Sequence, residues 1–158
     1  MPTSNWKALA VAVLGTEVIG SIGSIFSIRA IPEWYQGLAK SALNPPNWVF
    51  GPVWTTLYAL MGIAAFFIWK RGWQNAAVKT ALGVFILQLI LNSLWSIIFF
   101  GLHAPFFALI DIAVLWIAIV VTIYLFARQS RVAAGLLIPY LLWVSFAFYL
   151  NYSIVRLN

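Results

Sequence analysis

Five stretches of this chain, near residues 6–28, 48–69, 80–101, 105–127 and 133–155, run for about 20 residues or more with very few charges. A segment of that kind has one stable solution in lipid. Every backbone N–H and C=O must be paired without water, and a helix pairs them all within itself. The same runs cannot belong to a soluble domain. With 64% hydrophobic and only 8% charged residues among 158, too little polar surface exists to cover one. The expected fold is all-α: one integral membrane domain over residues 1–158, built as a five-transmembrane-helix bundle with a long, partly helical first loop.

The first run, from Thr3 to Ile28, lacks the short apolar core and cleavage site of a signal peptide and is expected to be retained as a span. The absence of cysteine removes disulfides, thiolate metal sites and cysteine nucleophiles together. The net charge of +6 does not imply nucleic acid, because the basic residues are scattered at helix ends. Their distribution instead predicts topology. Lys7, Lys70, Arg71, Lys79, Arg128 and Arg131 fall on one side and Arg29, Lys40 and Arg156 on the other, six against three, so the N-terminus is expected inside and the C-terminus outside. A multi-pass location in a bacterial membrane is the expectation.

Three of the four connections are short, and the first, from Arg29 to Asn47, is long. It carries Trp34, Tyr35, Leu38 and Leu43, a pattern suited to a short interfacial helix or lid, or to an aromatic anchor at the membrane surface. Pro45 and Pro46 punctuate the start of the second span. Pro52 and Pro139 are expected to bend spans two and five by removing one intrahelical hydrogen bond each, which can open a cavity. In span one Thr16, Gly20 and Ser24, with Gly23 and Ser27 beside them, form small-residue ridges that serve either packing within the bundle or a homodimer contact. Trp6, Trp69 and Trp73 read as interfacial anchors, and Trp116 as a contact to lipid or a neighbouring subunit.

Helical periodicity gathers polar and aromatic side chains in the outer half of the bundle. Trp54 and Tyr58 lie one turn apart, and Gln88, Asn92, Trp95, Ser96 and Phe99 follow one face of span three. Asp111 comes in from span four, while Trp143, Ala147, Leu150 and Asn151 share a face of span five. With Trp34 above them, these residues predict an aromatic cavity for a large, flat, apolar ligand. Glu17 and Asp111 are the only carboxyl groups within spans, and each is either a functional group or a hydrogen-bonded packing residue. His103, the sole histidine, reads as an exposed loop residue more than as a haem ligand. No catalytic triad, metal cluster (metal: none) or phosphate-binding loop can be assembled.

Larger motifs then stand out. Trp34-Tyr35-x-x-Leu38-x-Lys40, Pro45-Pro46-x-Trp48-Val49-Phe50-Gly51-Pro52-Val53-Trp54-Thr55-x-Leu57-Tyr58-x-x-Met61-Gly62, Gln88-Leu89-x-Leu91-Asn92-x-x-Trp95-x-x-x-Phe99-Phe100, Ala108-Leu109-x-Asp111 and Pro139-Tyr140-Leu141-x-Trp143-x-x-Phe146-Ala147-x-x-Leu150-Asn151-Tyr152 occur in that order. Together they resemble the signature of the tryptophan-rich sensory protein/translocator protein (TspO/MBR) family over nearly the whole chain.

The resemblance implies a five-helix membrane protein that binds porphyrins such as protoporphyrin IX, and in some members cholesterol and drug-like ligands, and that is linked in bacteria to tetrapyrrole metabolism and stress responses. It implies no obligatory cofactor, with porphyrin as ligand. The ligand-binding positions it implies are Trp34, Trp54, Tyr58, Asn92, Trp95, Trp143, Phe146 and Ala147, and Trp34 with Trp143 would be catalytic if the chain degrades porphyrin in light. Leu150, Tyr152 and Arg156 fit the family's short sterol motif. The chain departs from the family at Ser41-Ala42-Leu43, where relatives usually carry proline and then tryptophan. Physically, indoles suit a macrocycle's π surface, and Arg29, Lys40 and Arg156 are expected near the cavity mouth, where cations can hold propionates. A porphyrin- and lipid-binding regulator, a porphyrin transporter and a light-driven porphyrin-degrading enzyme are the three functions these features allow.

Overall fold

The computed structural model describes residues 3–158, which form six α-helices, joined by short turns except for the long loop between the first two, with no strand among the described residues. Helix α1 is Thr3–Glu33 and α2 is Phe50–Trp69. Helix α3, Ala76–Ser96, continues into a π-helical turn, Ile97–Gly101. Then come α4, Pro105–Gln129, α5, Arg131–Leu136, and α6, Ile138–Leu157. Five segments are long and apolar enough to cross a membrane, Asn5–Glu33, Asn47–Trp69, Ala76–Gly101, Pro105–Gln129 and Arg131–Leu157. These are the five expected spans. The first extends five residues past Ile28, because Arg29 and Glu33 can sit at a helix end in the headgroup region and Pro32 removes only one backbone bond.

The helices close into a ring. Helix α1 packs on α2 and α3, α3 on α4, α4 on α5 and α6, and α2 on α5. At the seam between α1 and α2, Gly62 lies so close to α1 that an added Cβ would meet the Val13 Cα at 2.5 Å. A Cβ on Gly20 would overlap the Tyr58 ring, and one on Gly23 would meet the Ser96 side chain at 2.7 Å. Thr16 Oγ1 donates to the Tyr58 carbonyl at 2.8 Å, and Ser93 Oγ donates to the Ile19 carbonyl at 3.2 Å. The small residues of α1 thus bring backbones together within one chain, as small-residue ridges do in lipid. The outer face of α1 keeps Val11, Leu14, Val18, Ile22 and Ile25 exposed, which lipid solvates.

Two prolines act differently. Pro139 stands in the first turn of α6 just after Leu137 breaks the fifth span, so the expected bend is there as a restart of the helix. Pro52 bends nothing. It falls in the first turn of α2, behind a 3-10 turn at Asn47–Val49, where a backbone N–H has no α-helical partner to lose. The break at Leu137 leaves α5 against α2 and lays α6 against α4, which leaves room inside the outer half of the bundle between α2 and α6.

The two ends of the bundle are defined by contacts. Asn5 shares a groove with Trp69, Lys70 and Trp73 at one end. At the other, the Ala39 N–H donates to Asn158 Oδ1 and Asn158 Nδ2 donates to the Ala39 carbonyl, both at 3.0 Å. Loop one and the end of α6 therefore share a face. Cysteines introduced singly at Gln36 and Arg156, both exposed in a chain with no native cysteine, should label with an impermeant maleimide from the same side, the outer one by the charge bias. Labelling from opposite sides would contradict the five-span arrangement.

Candidate functional site

A cavity of about 330 Å³ lies in the outer half of the bundle, within the size range of ligand pockets. Helix α2 gives it Phe50, Trp54 and Tyr58, the end of α3 gives Trp95, Ser96, Phe99 and Phe100, and α6 gives Trp143, Ala147, Leu150 and Asn151. The fourth wall is α1, a side of small and polar residues: Glu17, Gly20, Ser21, Gly23, Ser24 and Ser27. These recur at helical spacing on one face. The serine hydroxyls are satisfied inside lipid by their own helix, Ser21 donating to the Val18 carbonyl, Ser24 to Ser21 and Ser27 to Ser24 at 2.6–2.9 Å. Ser21, Ser24, Gly51 and Thr55 line the cavity and are also exposed, so its opening lies between α1 and α2.

The aromatic walls are coupled ring to ring. Trp54 stacks on Tyr58 at 5.4 Å and meets Tyr140 edge-on at 6.2 Å. Phe50 reaches across to Trp143 at 5.9 Å, and Trp95 stacks on Phe99 at 5.0 Å. Polar groups orient these rings. Trp95 Nε1 donates to Asn151 Oδ1 at 3.0 Å, and Asn151 Nδ2 donates to the Pro105 carbonyl at 2.9 Å, tying α3 to α6 and to the start of α4. Trp143 Nε1 is buried with no hydrogen-bond partner, an unspent donor on a residue of the cavity wall.

Of the ligand-binding positions expected from the sequence, Trp54, Tyr58, Trp95, Trp143 and Ala147 line this cavity. Three do not. Asn92 is buried behind Tyr58, accepting its hydroxyl at 2.5 Å and donating to Tyr140 Oη at 3.0 Å. Phe146 packs on the flank of Trp143 at 5.6 Å. Trp34 stacks on His103 at 4.4 Å with an interplanar angle of 13°, its edge toward Phe99, and so covers the α3–α4 turn and not the cavity. His103 is exposed, with φ of 50° in the left-handed region, and is not part of the lining. The sterol-motif residues diverge: Leu150 faces the cavity, whereas Tyr152 and Arg156 are exposed. Residues two apart on a helix point about 200° apart, so Leu150 and Tyr152 cannot share one surface.

The end of α1 and loop one roof the cavity through Ile31 and Tyr35. Tyr35 is buried, its hydroxyl donating to Asn44 Oδ1 at 2.9 Å, and burial pushes its pKa above the usual tyrosine range, so it remains a neutral donor. Lys40 does not face the mouth as a free cation. Its ammonium donates to the carbonyls of Tyr35 at 2.7 Å, Leu38 at 2.8 Å and Gln36 at 3.3 Å, which uses its donors to hold the loop. Ser41 Oγ adds a bond to Tyr149 Oη at 3.0 Å. Arg29 and Arg156 are exposed. Asp111 is buried outside the cavity lining with Oδ2 unpartnered, while Glu17 is half-buried in the α1 wall. Among the described residues no group of three or more His, Cys, Asp or Glu could hold a metal.

Phe50, Tyr35 and the α1 wall around Ser21 line the cavity, and Tyr140 backs Trp54, without having been expected there from the sequence. The α1 wall had a signal, the helical repeat of Glu17, Gly20, Ser21, Ser24 and Ser27. Tyr140 had none beyond its place after Pro139.

Five spans around an aromatic cavity with a looped roof define a multi-pass integral membrane protein with an internal ligand-sized site. The chain belongs to the TspO/MBR family, whose profile matches residues 11–157. It is 46% identical over 140 residues to the tryptophan-rich protein TspO of Chlorobaculum tepidum, covering 89% of each chain. It is 44% identical over 155 residues to the protein of the same name from Archaeoglobus fulgidus, covering 98% of this chain and 99% of that one. Identity to the human translocator protein is 38% over 154 residues, covering 94% of this chain and 90% of the human one.

Proposed function

We propose that the protein is a membrane receptor that takes a porphyrin-type tetrapyrrole into this cavity and regulates tetrapyrrole metabolism or a stress response through its occupancy. Sterol-like lipids form a second ligand class in this proposal, and a second copy of the chain against the outer face of α1 its oligomeric partner. The observation that carries the reading is the composition of the walls: three tryptophans and three phenylalanines around one space. Such walls supply apolar area and ring geometry worth about 0.5–1.5 kcal/mol per aromatic pair beyond burial. Arg29 and Arg156, exposed near the roofed end, are the cations open to propionates, since Lys40 is engaged with loop carbonyls.

Light-dependent porphyrin degradation uses the same cavity in a second reading. Trp143 lines it and its indole can act as an electron donor, whereas Trp34 is stacked on His103. Titration of the purified protein with porphyrins and sterols, followed by tryptophan fluorescence, tests the first reading. Saturable quenching by protoporphyrin IX is the expected result. Light-driven loss of ligand that requires the protein would favour the second, and movement of ligand across proteoliposomes would favour a transporter.

A further inference from the structure

Behind the cavity wall runs a chain of buried hydrogen bonds whose direction is fixed. Tyr58 Oη donates to Asn92 Oδ1 at 2.5 Å, Asn92 Nδ2 donates to Tyr140 Oη at 3.0 Å, Tyr140 Oη donates to Gln88 Oε1 at 2.7 Å, and Gln88 Nε2 faces Met61 Sδ at 3.8 Å. Gln88, Asn92, Tyr140 and Met61 are buried at 4% exposure or less, so no water competes for these groups. Hydroxyls and amides can each run either way, and the direction is set by the whole network. Met61 sets it here. A thioether sulfur has no hydrogen to donate, so the Gln88 amide must turn its NH₂ toward it. The Gln88 oxygen then faces Tyr140, which must donate to it. Tyr140 accepts from the Asn92 NH₂, the Asn92 oxygen is left for Tyr58, and Tyr58 spends its one hydrogen inward.

Tyr58 is the only one of these five residues in the cavity lining. We infer that Met61, Gln88 and Tyr140 are positioning residues that turn the one hydrogen of the Tyr58 hydroxyl away from the cavity, so that the site favours ligands offering an O–H or N–H to its oxygen over those offering only lone pairs. This rests on the reading of the cavity as a porphyrin site. A donor on the ligand gains a hydrogen bond to Tyr58, whereas an ether oxygen in its place meets lone pairs and loses its water without replacement.

The test uses two porphyrins that differ by O-methylation: haematoporphyrin, whose hydroxyethyl groups donate, and its bis(methyl ether), whose groups only accept, with Tyr58→Phe separating the donor effect from the added methyl. The full-length protein should bind haematoporphyrin about three- to tenfold more tightly by tryptophan quenching, the ratio one net hydrogen bond supplies. In Tyr58→Phe the preference should vanish because haematoporphyrin weakens. In Met61→Leu it should vanish because the ether strengthens: without the sulfur the amides can reverse and Tyr58 can donate outward. Tyr140→Phe cuts the chain at its middle and should act as Met61→Leu does, so misfolding of either variant leaves the other to decide. A purely structural role for Met61 or Tyr140 would change stability and leave the ratio in place. Equal wild-type affinity for the two porphyrins, or an unchanged ratio in folded Met61→Leu or Tyr140→Phe, would overturn the inference alone. Failure of both porphyrins to bind the wild-type protein would remove the porphyrin reading and this inference with it.

Discussion

Gly20→Ala should destabilise the detergent-solubilised protein by about 1–3 kcal/mol, the usual cost of overpacking a well-filled contact. The added Cβ would occupy the space of the Tyr58 ring, against its Cδ2, Cε2 and Cζ atoms. Neither side can yield cheaply. The Tyr58 hydroxyl is held by Asn92 at 2.5 Å, and the backbones are pinned by the Thr16 bond to the Tyr58 carbonyl at 2.8 Å. For a chain of this size each kcal/mol shifts the melting midpoint by about 2–4 °C. Gly15→Ala is the control on the same helix, since nothing lies within 4 Å of a Cβ there. It should melt at or slightly above the wild-type temperature through better helix propensity. Equal midpoints for the two variants would contradict the α1–α2 seam described above.

Trp143→Ala should weaken porphyrin binding by about 1–3 kcal/mol, roughly fivefold to 150-fold, through lost area and ring contact. Trp143→Phe should cost little, because an aromatic face remains. Trp34→Ala should cost less than Trp143→Ala, since Trp34 lies on His103 and not in the lining. Quenching titrations of the three variants decide the order. If this chain degrades porphyrin in light, Trp143→Phe should also stop the bleaching while sparing binding, because a phenyl ring donates an electron far less readily than indole. Stronger loss from Trp34→Ala than from Trp143→Ala would mean that loop one turns inward over ligand.

The spans were legible because lipid imposes one demand on every residue of a helix, and long apolar runs meet it without reference to their neighbours. Faces within single helices were legible for the same local reason, as with Trp54 and Tyr58 or Trp143 and Ala147. What one helix does to another was not. Gln88, Asn92 and Trp95 share a face of α3 by periodicity, yet Gln88 and Asn92 end in a sealed network because Tyr140 of α6 reaches them, while Trp95 reaches the cavity. Pro52 carried the expectation of a bend that depended on where α2 starts, and the 3-10 turn at Asn47–Val49 moved that start. By its position in the sequence Lys40 suits a cation for ligand, yet the loop's own carbonyls surround it. Side chains in loop one answer to a backbone path that no periodicity encodes.

The proposed porphyrin occupies the space between α1, α2, α3 and α6. Ala147 lines that space on the Trp143 face, with a methyl group where a ring would fill it. Protoporphyrin IX titrated into the wild-type protein and into Ala147→Phe, each monodisperse and helical, measures the claim directly by tryptophan quenching. Saturable binding by the wild type and a loss of at least tenfold, about 1.4 kcal/mol, in Ala147→Phe is the predicted result. Equal affinity of the two proteins would place the porphyrin elsewhere and contradict the account.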